Sequence, residues 1–255
     1  MPAKGATALH EDARARAATA VRLDDVTQRY GDVHALSDVT LDIAPGEVVA
    51  VVGPSGCGKS TLLDLVCGLA EPSRGTVDAR PAVLMPQRDA LLPWLTALDN
   101  AALPLRVEGA TKPEARDRAR ALLEQLGLDG FEQTMPHELS GGMRQRVAFA
   151  RTLLAGRDVL CLDEPFGALD AITRAQAHTW LADALQREPR TVLLVTHDVE
   201  EAVVVADRVV VLSPRPGRVV ADLPVPTPRP RRATDPELVA LRATALERLA
   251  GAAAA

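Results

Sequence analysis

The most informative residues in the sequence are glycines and hydroxyl side chains around one lysine. Residues 53–61 follow the apolar segment 48–52 and open a predicted helix. Glycines allow successive backbone N–H groups to turn toward a phosphate chain, and a helix N-terminus adds partial positive charge. Lysine neutralises the β- and γ-phosphates and the next hydroxyl binds Mg²⁺ in this phosphate-binding P-loop pattern. We predict nucleotide contacts from Gly53, Pro54, Ser55, Gly56, Cys57, Gly58, Lys59, Ser60 and Thr61, with Ser60 as a metal ligand.

Two adjacent carboxylates follow a second apolar strand, Val159–Asp163. In an α/β sheet the ligand crevice lies at the carboxyl ends of the strands, so both acids should face the phosphates. Asp163 suits the Mg²⁺ site. Glu164 points elsewhere and is placed to polarise the water that attacks the γ-phosphate. These residues predict nucleotide hydrolysis.

A second segment has the composition of an anion site. Ser140, Gly141 and Gly142 precede the predicted helix Met143–Leu154. A hydroxyl, two glycines and a helix N-terminus can hold a phosphate, but one nucleotide does not need two such cradles in one chain. We therefore predict a head-to-tail homodimer or pseudo-dimer in which this loop closes over the γ-phosphate held by the partner's P-loop.

Short apolar runs alternate with helical stretches, which is typical of an α/β fold with a mostly parallel sheet covered on both faces. The predicted strands are Glu47–Val52, Ala82–Met85, Val159–Asp163, Thr191–Thr196 and Arg208–Leu212. Helices are predicted at Ser60–Leu69, Ile172–Arg187 and Val199–Ala206. From about 88 to 157 no strand is evident, and Pro113–Leu126, with Thr111 placed to cap it, has helical spacing. This stretch predicts a helical insertion.

The composition excludes several classes of protein. The chain of 255 residues is 47% hydrophobic and 25% charged, which indicates a folded globular protein. A net charge of −5 with two Trp, one Tyr and three Phe argues against a nucleic-acid partner. No apolar run is long enough to span a membrane and no signal peptide is evident, so we expect the protein to stay inside the cell. Three cysteines without a CxxC spacing argue against a disulfide framework and a zinc site.

In this order, residues 53–61, 139–146 and 159–164 and His197 resemble the nucleotide-binding subunit of an ABC transporter, over roughly residues 21–212. The resemblance implies a P-loop NTPase core of the ABC ATPase type with an N-terminal antiparallel β portion, and an activity that uses ATP and Mg²⁺. We expect the ATPase domain at 21–212, with its helical subdomain at about 88–157. Residues 1–20 should be a mobile extension and 213–255 a Pro-rich tail ending in a short helix.

The resemblance also assigns further site residues. Tyr30 matches the aromatic side chain that stacks on adenine, and Gln87 matches the glutamine that contacts Mg²⁺ and the attacking water. Asp170 belongs to the segment that crosses the dimer, in which Ala168 stands where Ser is more usual. His197 matches the histidine that touches the γ-phosphate.

Partners and cargo are implied by the same resemblance. The family docks a permease helix just past Gln87, where Leu92, Pro93 and Trp94 lie. Residues 91–95, 136–139 and 212–219 are similar to ATPases of nitrate, sulfonate and taurine importers. This similarity implies a small anionic cargo, a substrate-binding protein, and a peripheral position on the cytoplasmic face of the inner membrane.

Three alternative functions and one residue remain open. Importers of pyrimidine precursors share much of this pattern. A soluble ABC ATPase of the iron–sulfur assembly type is a second alternative, and a GTPase is disfavoured because no Asn-Lys-x-Asp segment occurs. Cys57 is either a packing residue or a reactive thiolate with its pKa lowered by the helix N-terminus.

Overall fold

Two sheets and the helices around them make up the fold. The structure, a computed structural model, describes residues 19–167, 169, 171–187 and 189–254. The strands are β1 (Val21–Tyr30), β2 (Val33–Ile43), β3 (Val48–Val52), β4 (Arg74–Ala79), β5 (Ala82–Met85), β6 (Val159–Asp163), β7 (Thr191–Thr196), β8 (Arg208–Leu212) and β9 (Val219–Pro224). The helices are α1 (Lys59–Val66), α2 (Ala97–Val107), α3 (Lys112–Gln125), α4 (Gly141–Leu154), α5 (Ala171–Arg187), α6 (Val199–Val205) and α7 (Pro236–Ala254). None of these described helices is both long and apolar enough to span a bilayer.

The central sheet has the strand order β5-β6-β7-β3-β8-β9, and all its pairs are parallel except β8 with β9. The predicted α/β class with a mostly parallel sheet is confirmed. Every residue of β3 is buried. Its alternate side chains enter two separate cores, because Val48 and Ala50 pack with the helices and Val49 packs with α1 and the second sheet. Burial on both faces explains why the strand has a continuous apolar sequence.

The second sheet has the order β2-β1-β4 and is antiparallel, as expected for the N-terminal portion. Val21 and Leu23 of β1 face the core. Ala20 is also buried and its N–H donates to the carbonyl oxygen of Ile43 at 2.8 Å. The described fold therefore already includes the last residue of the predicted N-terminal extension, while residues 1–18 lie outside the described part.

Helices fill the chain between β5 and β6, as the sequence predicts. Ala115, Ala119 and Leu123 of α3 are fully buried, which confirms the helical spacing. The Glu114 carboxylate accepts hydrogen bonds from the N–H and hydroxyl of Thr111 at 3.0 and 2.6 Å, so Thr111 lies at the start of the helix as expected.

The Pro-rich tail is more structured than its composition indicates. β9 extends the central sheet past Leu212, and the final helix α7 has 19 residues rather than being short. Alternate side chains of β9 are half-buried, with Val219, Ala221 and Leu223 on one face. β9 pairs along one edge only, which tolerates the terminal Pro224. The sequence does not predict this strand because prolines flank it on both sides.

One buried amide fixes the loop that precedes α2. The Asn100 Nδ2 donates to the carbonyl oxygens of Leu92, Leu95 and Thr96 at 3.1, 3.0 and 3.1 Å. Its Oδ1 accepts from the N–H of Leu92 at 2.8 Å. The loop is thereby held in place while the Trp94 ring remains 70% exposed.

We expect Asn100→Ala to lower the free energy of unfolding by about 2 kcal/mol or more, because it leaves several backbone groups without partners. Urea unfolding measures this loss. Asp117→Ala is the control, since its carboxylate is 73% exposed and pairs with Arg120. That change should cost less than about 0.5 kcal/mol. Equal losses in the two variants would contradict the role given to Asn100.

Candidate functional site

The P-loop connects β3 to α1. Gly58 caps the helix with φ +106°, and a Cβ there would lie 2.7 Å from the carbonyl oxygen of Ala35. Only glycine fits this position. The Lys59 side chain is buried, and its Nζ donates to the carbonyl oxygens of Gly53 and Pro54 at 2.8 and 3.1 Å. The ammonium charge is therefore held inside the loop.

A cavity of about 500 Å³ adjoins the P-loop. It is lined by Tyr30, Val33, Ala35, Ser55, Gly56, Gly58, Lys59, Ser60, Thr61, Gln87, Asp163, Glu164, His197 and Arg215. Its volume suits a small-molecule ligand. Most of the predicted nucleotide and metal residues thus meet at one cavity. Among the predicted loop residues, Gly53, Pro54 and Cys57 do not line it.

Three neighbouring strands each contribute one polar side chain at the same edge of the sheet. Gln87 follows β5, Glu164 follows β6 and His197 follows β7. The Gln87 Nε2 donates to Glu164 Oε2 at 2.9 Å, and His197 Nδ1 lies 3.0 Å from Glu164 Oε1. Both oxygens of the carboxylate are held by the neighbours on either side, which orients it within the cavity.

The backbone of Glu164 is in the left-handed region, with φ +46°. A non-glycine residue pays a steric cost there, and such positions cluster at functional sites. The Glu164 N–H donates to the carbonyl oxygen of Val195 at 2.9 Å, which fixes this turn to β7. The turn separates the direction of the Glu164 side chain from that of Asp163.

Asp163 and Ser60 supply hard oxygen donors at the cavity wall. Burial raises the pKa of the Asp163 carboxyl, while a hydrogen bond with the Ser60 side chain lowers it. Among the described residues no group of three or more His, Cys, Asp or Glu side chains is placed to hold a metal ion. Mg²⁺ is commonly held by one or two protein oxygens together with substrate phosphates. The Ser60 and Asp163 pair fits that kind of site.

Tyr30 ends β1 and lies across the turn from Val33. Its ring is 48% exposed and lines the cavity, so it is not a core residue. An aromatic ring with a free face can stack on a base. Its predicted contact with adenine is compatible with this position.

Residues 140–142, the second predicted anion site, lie apart from the cavity. Ser140 caps α4, and its Oγ accepts from the N–H of Met143 at 3.2 Å. Ser140, Gly141 and Gly142 do not line the cavity of their own chain. Asp170 and Ala168 lie outside the described residues. The predicted contact of this segment with a partner's nucleotide stays a prediction.

Two arginines of α4 hold the loop that follows Gln87, a link that sequence reasoning missed. The Arg144 Nε donates to Asp89 Oδ2 at 2.9 Å. The Arg151 Nη1 and Nη2 donate to the carbonyl oxygens of Ala90 and Asp89, each at 2.8 Å. The helix α4, which Ser140 caps, is thus bonded to the loop that carries Gln87.

A buried carboxyl behind His197 was also missed. The Thr196 hydroxyl donates to Glu201 Oε2 at 2.9 Å, and the N–H of Asp198 donates to that hydroxyl at 3.0 Å. Glu201 is 2% exposed, and burial raises the pKa of its carboxyl to about 8. Glu201 therefore helps to shape the turn that carries His197. An acid three residues after the helix-capping Asp198 was the available sequence signal.

The hypothesis of a reactive Cys57 is wrong. The side chain is fully buried, and this burial raises the pKa of the thiol even though Lys59 is nearby. The desolvation of a thiolate outweighs the attraction of the helix N-terminus and the ammonium. Cys57 is a packing residue beneath the loop.

Comparison with known proteins gives matches along most of the chain. Residues 36–167 match the family described as ABC transporter. The aliphatic sulfonates import ATP-binding protein SsuB 1 of Rhodococcus jostii (strain RHA1) is 47% identical, covering 88% of this chain and 91% of the relative. SsuB 2 of Burkholderia cenocepacia (strain HI2424) is 45% identical, covering 86% and 83%. A dimeric structure of the ATP-binding cassette MJ0796 in a post-hydrolysis state with ADP and Pi matches with a TM-score of 0.73 and 31% identity, covering 81% of this chain and 99% of that chain.

The buried carboxyl of Glu201 predicts a pH dependence of stability. In the folded protein this group stays protonated up to about pH 8, against an ordinary pKa of 4.5. Its stabilising contribution is therefore complete below pH 4.5 and is lost as the pH rises to about 8. The steepest loss is about 1.4 kcal/mol per pH unit. Between pH 5.5 and 8, wild type should lose unfolding free energy relative to Glu201→Gln in urea titrations.

Thr196→Val is the matched control. It removes the hydrogen bond that lowers the pKa of Glu201 but keeps the buried carboxyl, so its unfolding free energy should still fall as the pH rises. If the unfolding free energies of wild type and Glu201→Gln changed equally across this pH range, Glu201 would not be a buried, protonated group.

Proposed function

The chain belongs to the ABC transporter family as an ATP-binding subunit, and on that premise we propose that it hydrolyses ATP to drive the import of an aliphatic sulfonate. The activity follows from family membership. The observation that most supports the site is the meeting of Lys59, Glu164 and His197 at one cavity. Phosphoryl transfer to water requires a loop that binds the phosphates, an oriented carboxylate and a polar side chain near the γ-phosphate.

In the proposed mechanism each residue acts by position and charge. Backbone N–H groups of the P-loop and the Lys59 ammonium bind the β- and γ-phosphates. Glu164 accepts a proton from the attacking water, and the hydrogen bond from Gln87 and the contact with His197 Nδ1 keep its carboxylate oriented. Mg²⁺, held by Ser60 and Asp163 with Gln87 nearby, would neutralise charge that develops on the phosphates.

A homodimer completes the proposed site. MJ0796, which covers 81% of this chain, forms a dimer in its solved structures. In this chain Ser140, Gly141 and Gly142 are separate from their own cavity, which leaves them free to contact a nucleotide held by a second copy. We place Asp170 in the same proposed dimer contact. Two copies would close around two ATP molecules, and hydrolysis would reopen the dimer.

The permease contact is proposed at Leu92, Pro93 and Trp94. The Trp94 ring is 70% exposed, although hydrogen bonds from the buried Asn100 amide fix the backbone of its loop. A large exposed aromatic side chain on a fixed backbone is a typical anchor residue in protein interfaces. Contact there would hold the subunit on the cytoplasmic face of the inner membrane, with a substrate-binding protein acting on the other side.

The relatives' names support the choice of cargo. Proteins named as sulfonate import subunits are 43–47% identical over most of the chain. This similarity favours sulfonate import over nitrate, taurine or pyrimidine-precursor import, and over a soluble ABC ATPase.

Glu164→Gln tests the proposed base. The variant keeps the shape and the hydrogen-bonding neighbours of the side chain but cannot accept the proton. We expect ATP binding within about threefold of wild type, hydrolysis reduced at least about 100-fold, and a stable dimer with ATP on size-exclusion chromatography. Lys59→Ala should instead lose ATP affinity. The exposed Glu247→Gln is the control for substitution itself. Near-normal turnover by Glu164→Gln would remove Glu164 as the base.

The cargo is tested by growth. A strain of the source organism that lacks this chain should grow with sulfate but not with ethanesulfonate as its sulfur source. Wild-type protein should restore growth on ethanesulfonate, and Glu164→Gln should not. Undiminished growth of the deletion strain on ethanesulfonate, with a defect on nitrate or taurine, would assign the protein to another importer.

A further inference from the structure

The turn between β8 and β9, residues 213–218, packs directly on the nucleotide cavity. The N–H of Gly217 donates to the carbonyl oxygen of Ala35 at 2.9 Å, and the N–H of Ser37 donates to the Gly217 carbonyl at 3.0 Å. A Cβ on Gly217 would lie 2.2 Å from the carbonyl oxygen of Cys57, so this position requires glycine. The turn is thus in backbone contact with both β2 and the P-loop.

The turn is also fixed internally. The Ser213 hydroxyl donates toward the carbonyl oxygens of Pro214 and Pro216 at 2.8 and 3.0 Å, and it accepts from the N–H of Arg218 at 3.0 Å. The Arg218 guanidinium pairs with Asp38 at 2.8 Å. A residue in the middle of this turn is therefore held at a defined place.

Arg215 occupies that middle position and lines the cavity together with Tyr30 and Ala35. It is exposed, and within the described part of the chain its guanidinium makes no hydrogen bond or ion pair. Arg218, three residues on, is by contrast paired. An unpaired cation on a fixed turn beside an anion-binding cavity is available to a ligand.

The position within the cavity indicates which half of the ligand it meets. The turn bonds to Ala35 of β2, and β2 starts opposite Tyr30. Gln87, Glu164 and His197 follow other strands of the central sheet. A guanidinium plane stacks on aromatic rings and donates several hydrogen bonds. On the premise of the proposed function, we propose that Arg215 is a further nucleotide-binding residue that contacts the adenosine half of ATP beside Tyr30.

The inference is tested by titrating the full-length chain with ATP and ADP, using isothermal calorimetry. Because ATP and ADP share the adenosine half, Arg215→Ala should raise both Kd values by the same factor, about three- to tenfold. The KM for ATP should rise by a similar factor, since the contact is made equally before and during reaction. Arg215→Lys should recover only part of the loss, because it keeps the charge without the planar group.

Arg218→Ala is the matched control on the same turn, since its exposed ion pair contributes little to stability. It should bind both nucleotides as wild type does. Equal weakening by Arg218→Ala would show that the turn matters rather than Arg215, and an effect on ATP alone would place Arg215 at the γ-phosphate; either result overturns the inference. Unchanged affinities in Arg215→Ala also overturn it. Failure of wild type to bind ATP would instead refute the proposed function.

Discussion

The parallel register of β3, β7 and β6 is the constraint on which the site depends. Val52 pairs with Thr196 and Val195 pairs with Asp163, so the three strands end at nearly the same level. The P-loop, His197 and Glu164 are the next segments along the chain and therefore leave the sheet at one edge. Because these strands are buried on both faces, a shift of one residue would exchange the side chains of two packed cores. The packing of the sheet thus fixes the spacing of the site.

The order of the strands adds a second consequence. β6 lies between β5 and β7, so the Glu164 carboxylate has one neighbour on each side, Gln87 and His197. Each neighbour belongs to a different loop. Movement of either loop changes one of the two contacts that orient the carboxylate, and the two loops are independent of each other in sequence. The orientation of the Glu164 carboxylate therefore depends on the positions of two separate loops.

The local features of the fold could be predicted from the sequence, and the features that depend on distant contacts could not. β5, β6, β7 and β8 have the predicted bounds because their apolar runs are continuous. The strand β9 was not predicted, because the prolines that flank it are typical of a loop. Glu201 and Arg215 were missed because their significance comes from neighbours in space, Thr196 in one case and the cavity in the other. The sequence left two roles open for Cys57, and the structure decides for packing because the side chain is fully buried.

The bonds from Arg144 and Arg151 to Asp89 and Ala90 have a mechanical consequence. Three hydrogen-bond donor groups on two turns of α4 hold a loop that connects the helical insertion to the central sheet. A rotation of the insertion would carry this loop with it and pull on Gln87 from one side. Motion of the insertion, which carries the exposed Trp94, would then be transmitted through Gln87 to the Glu164 carboxylate.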